Sequence, residues 1–92
     1  MHQALAHQPG DDVAIAVSPI VSGDQVTIAY LDAEEMETIT ARGDVPYGHK
    51  IAVRDRATGD SVIEYGTQIG IAAAGIVAGD YVHTHNLKSA RW

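Results

Sequence analysis

The chain has 92 residues without Cys or Phe, and its 6 Lys and Arg against 12 Asp and Glu leave a net charge of −6. This length builds one small domain with a thin core that leans on partners, and the missing Cys excludes disulfides, thiolate-held iron–sulfur clusters and a thiol nucleophile. The cations are scattered, which argues against a nucleic-acid surface, and there is neither an apolar run of roughly twenty residues nor a signal-peptide start, so no membrane partner and a cytoplasmic location are expected.

Residues 1–12 contain Pro9-Gly10-Asp11 and no apolar period, which predicts a flexible lead-in with His2 and His7 solvated. Val13-Ala14-Ile15-Ala16-Val17 predicts a strand buried on both sides and stopped by Ser18-Pro19. Val21-Ser22-Gly23-Asp24-Gln25 reads as a turn in which Gly supplies a positive φ, and residues 26–31 alternate as a second strand. Asp32-Ala33-Glu34-Glu35 has the form of a capping box for a short helix over 33–40, yet the β-branched run at Glu37-Thr38-Ile39-Thr40-Ala41 points to a strand. A loop over 42–48 leads to a strand at 51–54, and Arg56-Ala57-Thr58-Gly59-Asp60 reads as a hairpin connection to a strand at 61–65. Gly66 and Gly70 bracket Thr67-Gln68-Ile69, and Ile71-Ala72-Ala73 continues as a strand towards Gly75.

The chain also repeats itself. Ile15-Ala16 followed by Ile20-Val21-Ser22-Gly23-Asp24-Gln25-Val26 recurs, without a gap, as Ile71-Ala72 followed by Ile76-Val77-Ala78-Gly79-Asp80-Tyr81-Val82. The same strand–turn–strand unit is therefore expected twice in one small barrel-like sheet, unless shared turn chemistry alone accounts for the match.

Two polar clusters carry candidate chemistry. If the strand begun at Tyr81 runs on, His83 and His85 share a face, and two imidazoles there reach one metal ion or one bound carboxylate. The plainer reading of that pair is an exposed strand end. Asn86 then bends the chain, Leu87 is the last apolar anchor, and Lys88 and Arg91 bring cations. In the second cluster, Val45-Pro46-Tyr47-Gly48-His49-Lys50 sets an imidazole beside an ammonium at the mouth of a strand. Lys50 there could hold a carboxylate while His49 transfers a proton or binds a metal.

Pro46-Tyr47-Gly48-His49-Lys50-Ile51-Ala52, Ile63-Glu64-Tyr65-Gly66 with Ile69-Gly70, Ala78-Gly79-Asp80-Tyr81-Val82 and His83-Thr84-His85-Asn86-Leu87-Lys88 occur in that order. Together they resemble the SAF-type domain of the altronate/galactarate dehydratase family, which also includes the small subunit of sulfolactate sulfo-lyase. The resemblance covers residues 11–91. It implies an all-β, SAF-type β-clip fold of bent hairpins with little helix over residues 13–92. It further implies a large catalytic portion, a divalent metal such as Fe2+ or Mn2+, and lyase chemistry on a hydroxy acid. Onto matching positions it carries His49 and Lys50 as catalytic residues, Lys50, Asn86 and Lys88 as substrate contacts, and His83 and His85 as metal ligands.

Fused members would run past Trp92 into the large domain, so a stand-alone small subunit is expected, part of a hetero-oligomer and catalytically silent without its large partner. The expected reaction is elimination of water from an altronate-type sugar acid, a carbon–oxygen lyase. The alternatives are the small subunit of sulfolactate sulfo-lyase and a non-catalytic SAF-type carbohydrate-binding or assembly module. His concentrated at two loop mouths favours an enzyme, since docking alone does not require it. Removing a proton α to a carboxylate needs the enediolate charge neutralised, which an imidazole-held metal does as Lewis acid and template. Loss of hydroxide also needs an acid. Loss of sulfite needs a cationic seat for the sulfonate instead.

Overall fold

The computed structural model describes residues 3–89, and every regular element among them is a strand. The all-β expectation is met. The order is β1 (Ala4–Ala6), β2 (Val13–Ala16), β3 (Gln25–Tyr30), β4 (Met36–Thr40), β5 (Lys50–Ala52), β6 (Ser61–Glu64), β7 (Thr67–Ala72), β8 (Tyr81–Val82) and β9 (Leu87–Ser89). One sheet has six strands in the order β4-β3-β1-β2-β5-β8, and a second has three in the order β6-β7-β9. Only β1 and β3 pair in parallel. The expectations for His2 and Arg91 lie outside the described residues.

Sequence alternation sets the faces. Along β3, Val26, Ile28 and Tyr30 are buried, as a half-covered strand requires. Strands β2 and β5 are covered on both faces: Ala14 and Ile51 join one apolar cluster with Val26 and Ile28, while Val13 and Ala52 join a second with Val62, Ala72 and Val82. That second cluster glues the small sheet to the large one. Strand β4 settles residues 36–40 as a strand, because Gln25 to Ala29 of β3 offer five consecutive pairing partners.

Three expectations are corrected. Residues 1–12 were expected as a flexible lead-in, but β1 sits between β3 and β2 with Ala4 and Ala6 buried, and Asp11 and Asp12 are buried too. A three-residue Ala-Leu-Ala strand has no readable period, and its ladder partners lie far along the chain. His7, expected in solvent, stacks on Tyr65 with ring centroids 3.5 Å apart and lies 3.5 Å from Asp32. Residues 56–60 do not close a hairpin, since β5 and β6 belong to different sheets. The two-residue hairpin lies at Tyr65 and Gly66, with φ of 60° and 69°, between β6 and β7.

The repeat read in the sequence is real and larger than it looked. Asp24 Oδ2 accepts from Val21 N at 2.9 Å, and Asp80 Oδ2 accepts from Val77 N at 2.8 Å. Gly23 and Gly79 both have φ above +90°. Asp60 does the same for Ala57 N at 2.9 Å, behind Gly59. A fourth turn, Pro46-Tyr47-Gly48-His49, has the same backbone bond, His49 N to Pro46 O at 3.0 Å. The turns meet in pairs through bridges between Ile20 and Val45 and between Arg56 and Ile76.

Asp12 ties the sheets together. Its Oδ1 accepts from Arg56 at 2.7 Å and its Oδ2 from Ile63 N in β6 at 2.7 Å, while Arg54 Nε lies 3.5 Å away. A carboxylate 1% exposed is tolerable only with such partners.

Candidate functional site

The Pro46 turn differs from those at Val21, Ala57 and Val77 at the position that matters. In the others an Asp side chain caps the N–H three residues back, but here that residue is Pro46, which has no N–H to cap. His49 stands where the Asp stands elsewhere and is released from capping. Its Nδ1 shares a 2.7 Å hydrogen bond with the Tyr81 hydroxyl instead. Tyr47, at the tip of the turn, is 68% exposed, where the other turns carry Ser22, Thr58 and Ala78.

Strand β8 ends at Val82 because Asn86 captures the chain. Asn86 Oδ1 accepts from His83 N at 2.9 Å and its Nδ2 donates to Tyr81 O at 2.9 Å. Asn86 N and Leu87 N both donate to His83 O, closing a turn. His83 and His85 therefore do not extend a strand or share its face, contrary to expectation. They stand on the turn that carries the chain from the large sheet into β9 of the small one.

The residues nonetheless gather. The His83 ring lies 5.5 Å from that of His49 and 5.5 Å from that of Tyr81, stacked on the phenol at 9°. The His85 ring lies 5.8 Å from the same phenol. Three imidazoles thus surround Tyr81, a residue that sequence reasoning placed only as a strand start. Its signal was available in the repeat, where Tyr81 takes the place of Gln25.

Between the sheets a cleft of about 440 Å³ opens beside this cluster. Lys50, His83, Thr84, Lys88 and Ser89 line it over a floor of Ile69, Val82 and Leu87. Lys50 reaches it because β5 presents Lys50 and Ala52 to the second apolar cluster while Ile51 turns to the first. Nearby, burial pushes the Glu64 carboxyl above the usual carboxylate range, against the pull of the Lys50 ammonium. A second cleft of about 330 Å³ is lined by Tyr81, His85, Asn86, Arg42 and Asp80, the last two in a 3.1 Å ion pair.

Of the expected substrate contacts, Lys50 and Lys88 therefore share a cleft. Asn86 is 5% exposed, with its carboxamide turned onto its own loop. His83 and His85 line different clefts, and among the described residues no three His, Asp or Glu side chains converge on one metal position. Imidazoles are donors that suit a divalent transition metal. Among them no helix is long and apolar enough to cross a membrane.

The profile of the altronate/galactarate dehydratase SAF domain matches residues 2–90, and the chain belongs to that family. It is similar to altronate dehydratase of Escherichia coli (strain K12), 42% identical over 79 residues that make up 86% of this chain and 15% of the relative. The (2R)-sulfolactate sulfo-lyase subunit alpha of Chromohalobacter salexigens is 33% identical over 89 residues, 96% of this chain and 95% of the relative. The protein of the same name from Paracoccus pantotrophus is 44% identical over 54 residues, 59% of this chain and 81% of the relative. The chain thus spans about a seventh of the altronate dehydratase but nearly the whole of the first sulfo-lyase subunit.

Proposed function

We propose that this chain is the small, SAF-type part of a hydroxy-acid lyase, completed by a large catalytic subunit and silent without it. The observation that carries the reading is the meeting of Lys50, His83 and Lys88 in one cleft, with His49 against His83. An otherwise acidic chain has no structural need for two ammoniums there. They would seat the anionic end of the substrate, while His49 moves a proton at the reacting carbon or leaving group. A divalent metal, Fe2+ or Mn2+, would supply Lewis-acid stabilisation of the enediolate, with His83 as this chain's contribution, since His85 lines the other cleft, and the other ligands from the large subunit. Support for a large partner comes from the open, incomplete cluster and from relatives named as a subunit.

The first reading of the reaction is elimination of water from an altronate-type sugar acid, in keeping with the altronate dehydratase relatives. A second reading is elimination of sulfite from sulfolactate. It is favoured by the paired ammoniums, since that substrate carries a sulfonate as well as a carboxylate and needs two cationic seats. The test is turnover of altronate and of sulfolactate by the purified chain mixed with its large subunit. One of the two substrates should react only when both chains are present. Turnover by the small chain alone, or of neither acid by the mixture, counts against the proposal.

A further inference from the structure

We propose that Thr84 is a specificity-determining residue: its hydroxyl joins the Lys50 and Lys88 ammoniums in a donor-rich seat for a tetrahedral oxyanion, so this chain selects a hydroxy acid with a second anionic group over a polyol acid. The inference rests on the lyase reading and deepens it to a substrate class. Thr84 lines the same cleft as both lysines, beside the apolar floor of Ile69, Val82 and Leu87. Among the described residues no carboxylate or carboxamide side chain lines that cleft. Neither ammonium is in an ion pair among them, and the Thr84 hydroxyl has no hydrogen-bond partner there. Glu64, raised by burial against the pull of Lys50, makes no ion pair with it either.

Such a lining suits one kind of ligand. A sulfonate offers acceptor oxygens and no donor, so it answers the hydroxyl and both ammoniums, the latter with charge assistance. Each hydroxyl of a polyol brings a donor of its own, and no carboxylate or carboxamide is there to take it. Of the two reactions above, the lining points to loss of sulfite. The backbone that carries the donors is fixed before a ligand arrives. Lys50 pairs with Val82 across the β5–β8 ladder, and Thr84 stands on the turn closed at His83 O by Asn86 N and Leu87 N. Lys88 lies on β9, which runs so close to β7 that a Cβ on Gly70 would collide with Lys88 O. Positions held in this way spare part of the ordering cost of binding.

Backbone-amide NMR of the full chain in metal-free buffer, titrated with sulfolactate and with altronate, tests this without turnover. Sulfolactate should shift the amides around Lys50, Thr84 and Lys88 and bind about tenfold tighter than altronate, the effect of one hydrogen bond to a charged group. Thr84→Val should weaken sulfolactate by about tenfold and altronate by less than about twofold, while Thr84→Ser should keep the preference. In the assembled enzyme Thr84→Val should raise KM for sulfolactate by about as much and leave kcat within about twofold. Equal or tighter binding of altronate, binding of neither acid, or an unchanged preference in Thr84→Val overturns the proposal, and the wild-type titration decides even if the variant does not fold. A preference kept by the chain, with turnover of neither acid by the assembled pair, upholds the seat and removes the lyase reading, so the two failures are distinguishable.

Discussion

With its carboxamide bonded to His83 N and Tyr81 O, Asn86 holds the turn from which the cluster is built. Asn86→Ala leaves both partly buried backbone groups without these partners. It should cost about 1–3 kcal/mol in urea unfolding and disturb the His83 ring. His49→Ala removes no turn cap. Its expected signature is therefore the reverse: near wild-type stability, and kcat of the assembled enzyme reduced by roughly 10²–10⁴-fold. Glu64 gives a pH test. Burial raises its folded pKa above the unfolded value, so its stabilising contribution is complete below the ordinary carboxylate range and fades as pH rises through the folded value. Glu64→Gln should flatten that fall, gaining on wild type in urea midpoints as pH rises from the ordinary carboxylate range through the folded value. An unchanged pH slope would contradict it.

At the scale of strands and turns, what was legible followed from local pattern. Alternation placed β2, β3 and β6 to within a residue or two and caught only the end of β7, and the Ile-Val-x-Gly-Asp-x-Val unit announced a turn that the chain uses again at Ala57 and, with His for Asp, at Pro46. What stayed hidden was non-local. Strand β1 is three residues long and exists through β2 and β3, and residues 56–60 look like a hairpin turn although they carry the chain between sheets. The His-x-His spacing suggested one strand face, and nothing nearby shows that Asn86 reaches back to end the strand first. His49, Lys50, His83 and Lys88 were singled out on chemistry alone, and the cleft that relates three of them belongs to the sheet crossing. That crossing is exposed to test at Asp12, whose carboxylate binds Arg56 of one linker and Ile63 N of the small sheet. Asp12→Ala should cost about 3 kcal/mol, the low end for a broken buried pair because both Arg side chains keep solvent access. A midpoint equal to wild type would mean that the apolar cluster alone joins the sheets.

For the whole molecule, the proposed function makes this domain one half of a site. Its two clefts are open, and the exposed Tyr47 stands beside His49 at the turn tip, where a large subunit would close over both. The most direct test purifies the chain with its large subunit and measures metal content and hydroxy-acid turnover for wild type, His83→Ala and His85→Ala. His83→Ala should assemble but lose metal, and lose turnover with it, since there is no Cys to replace its imidazole, whereas His85→Ala, in the other cleft, should keep both. His83→Ala assembled, folded, and with wild-type metal and turnover would contradict the account.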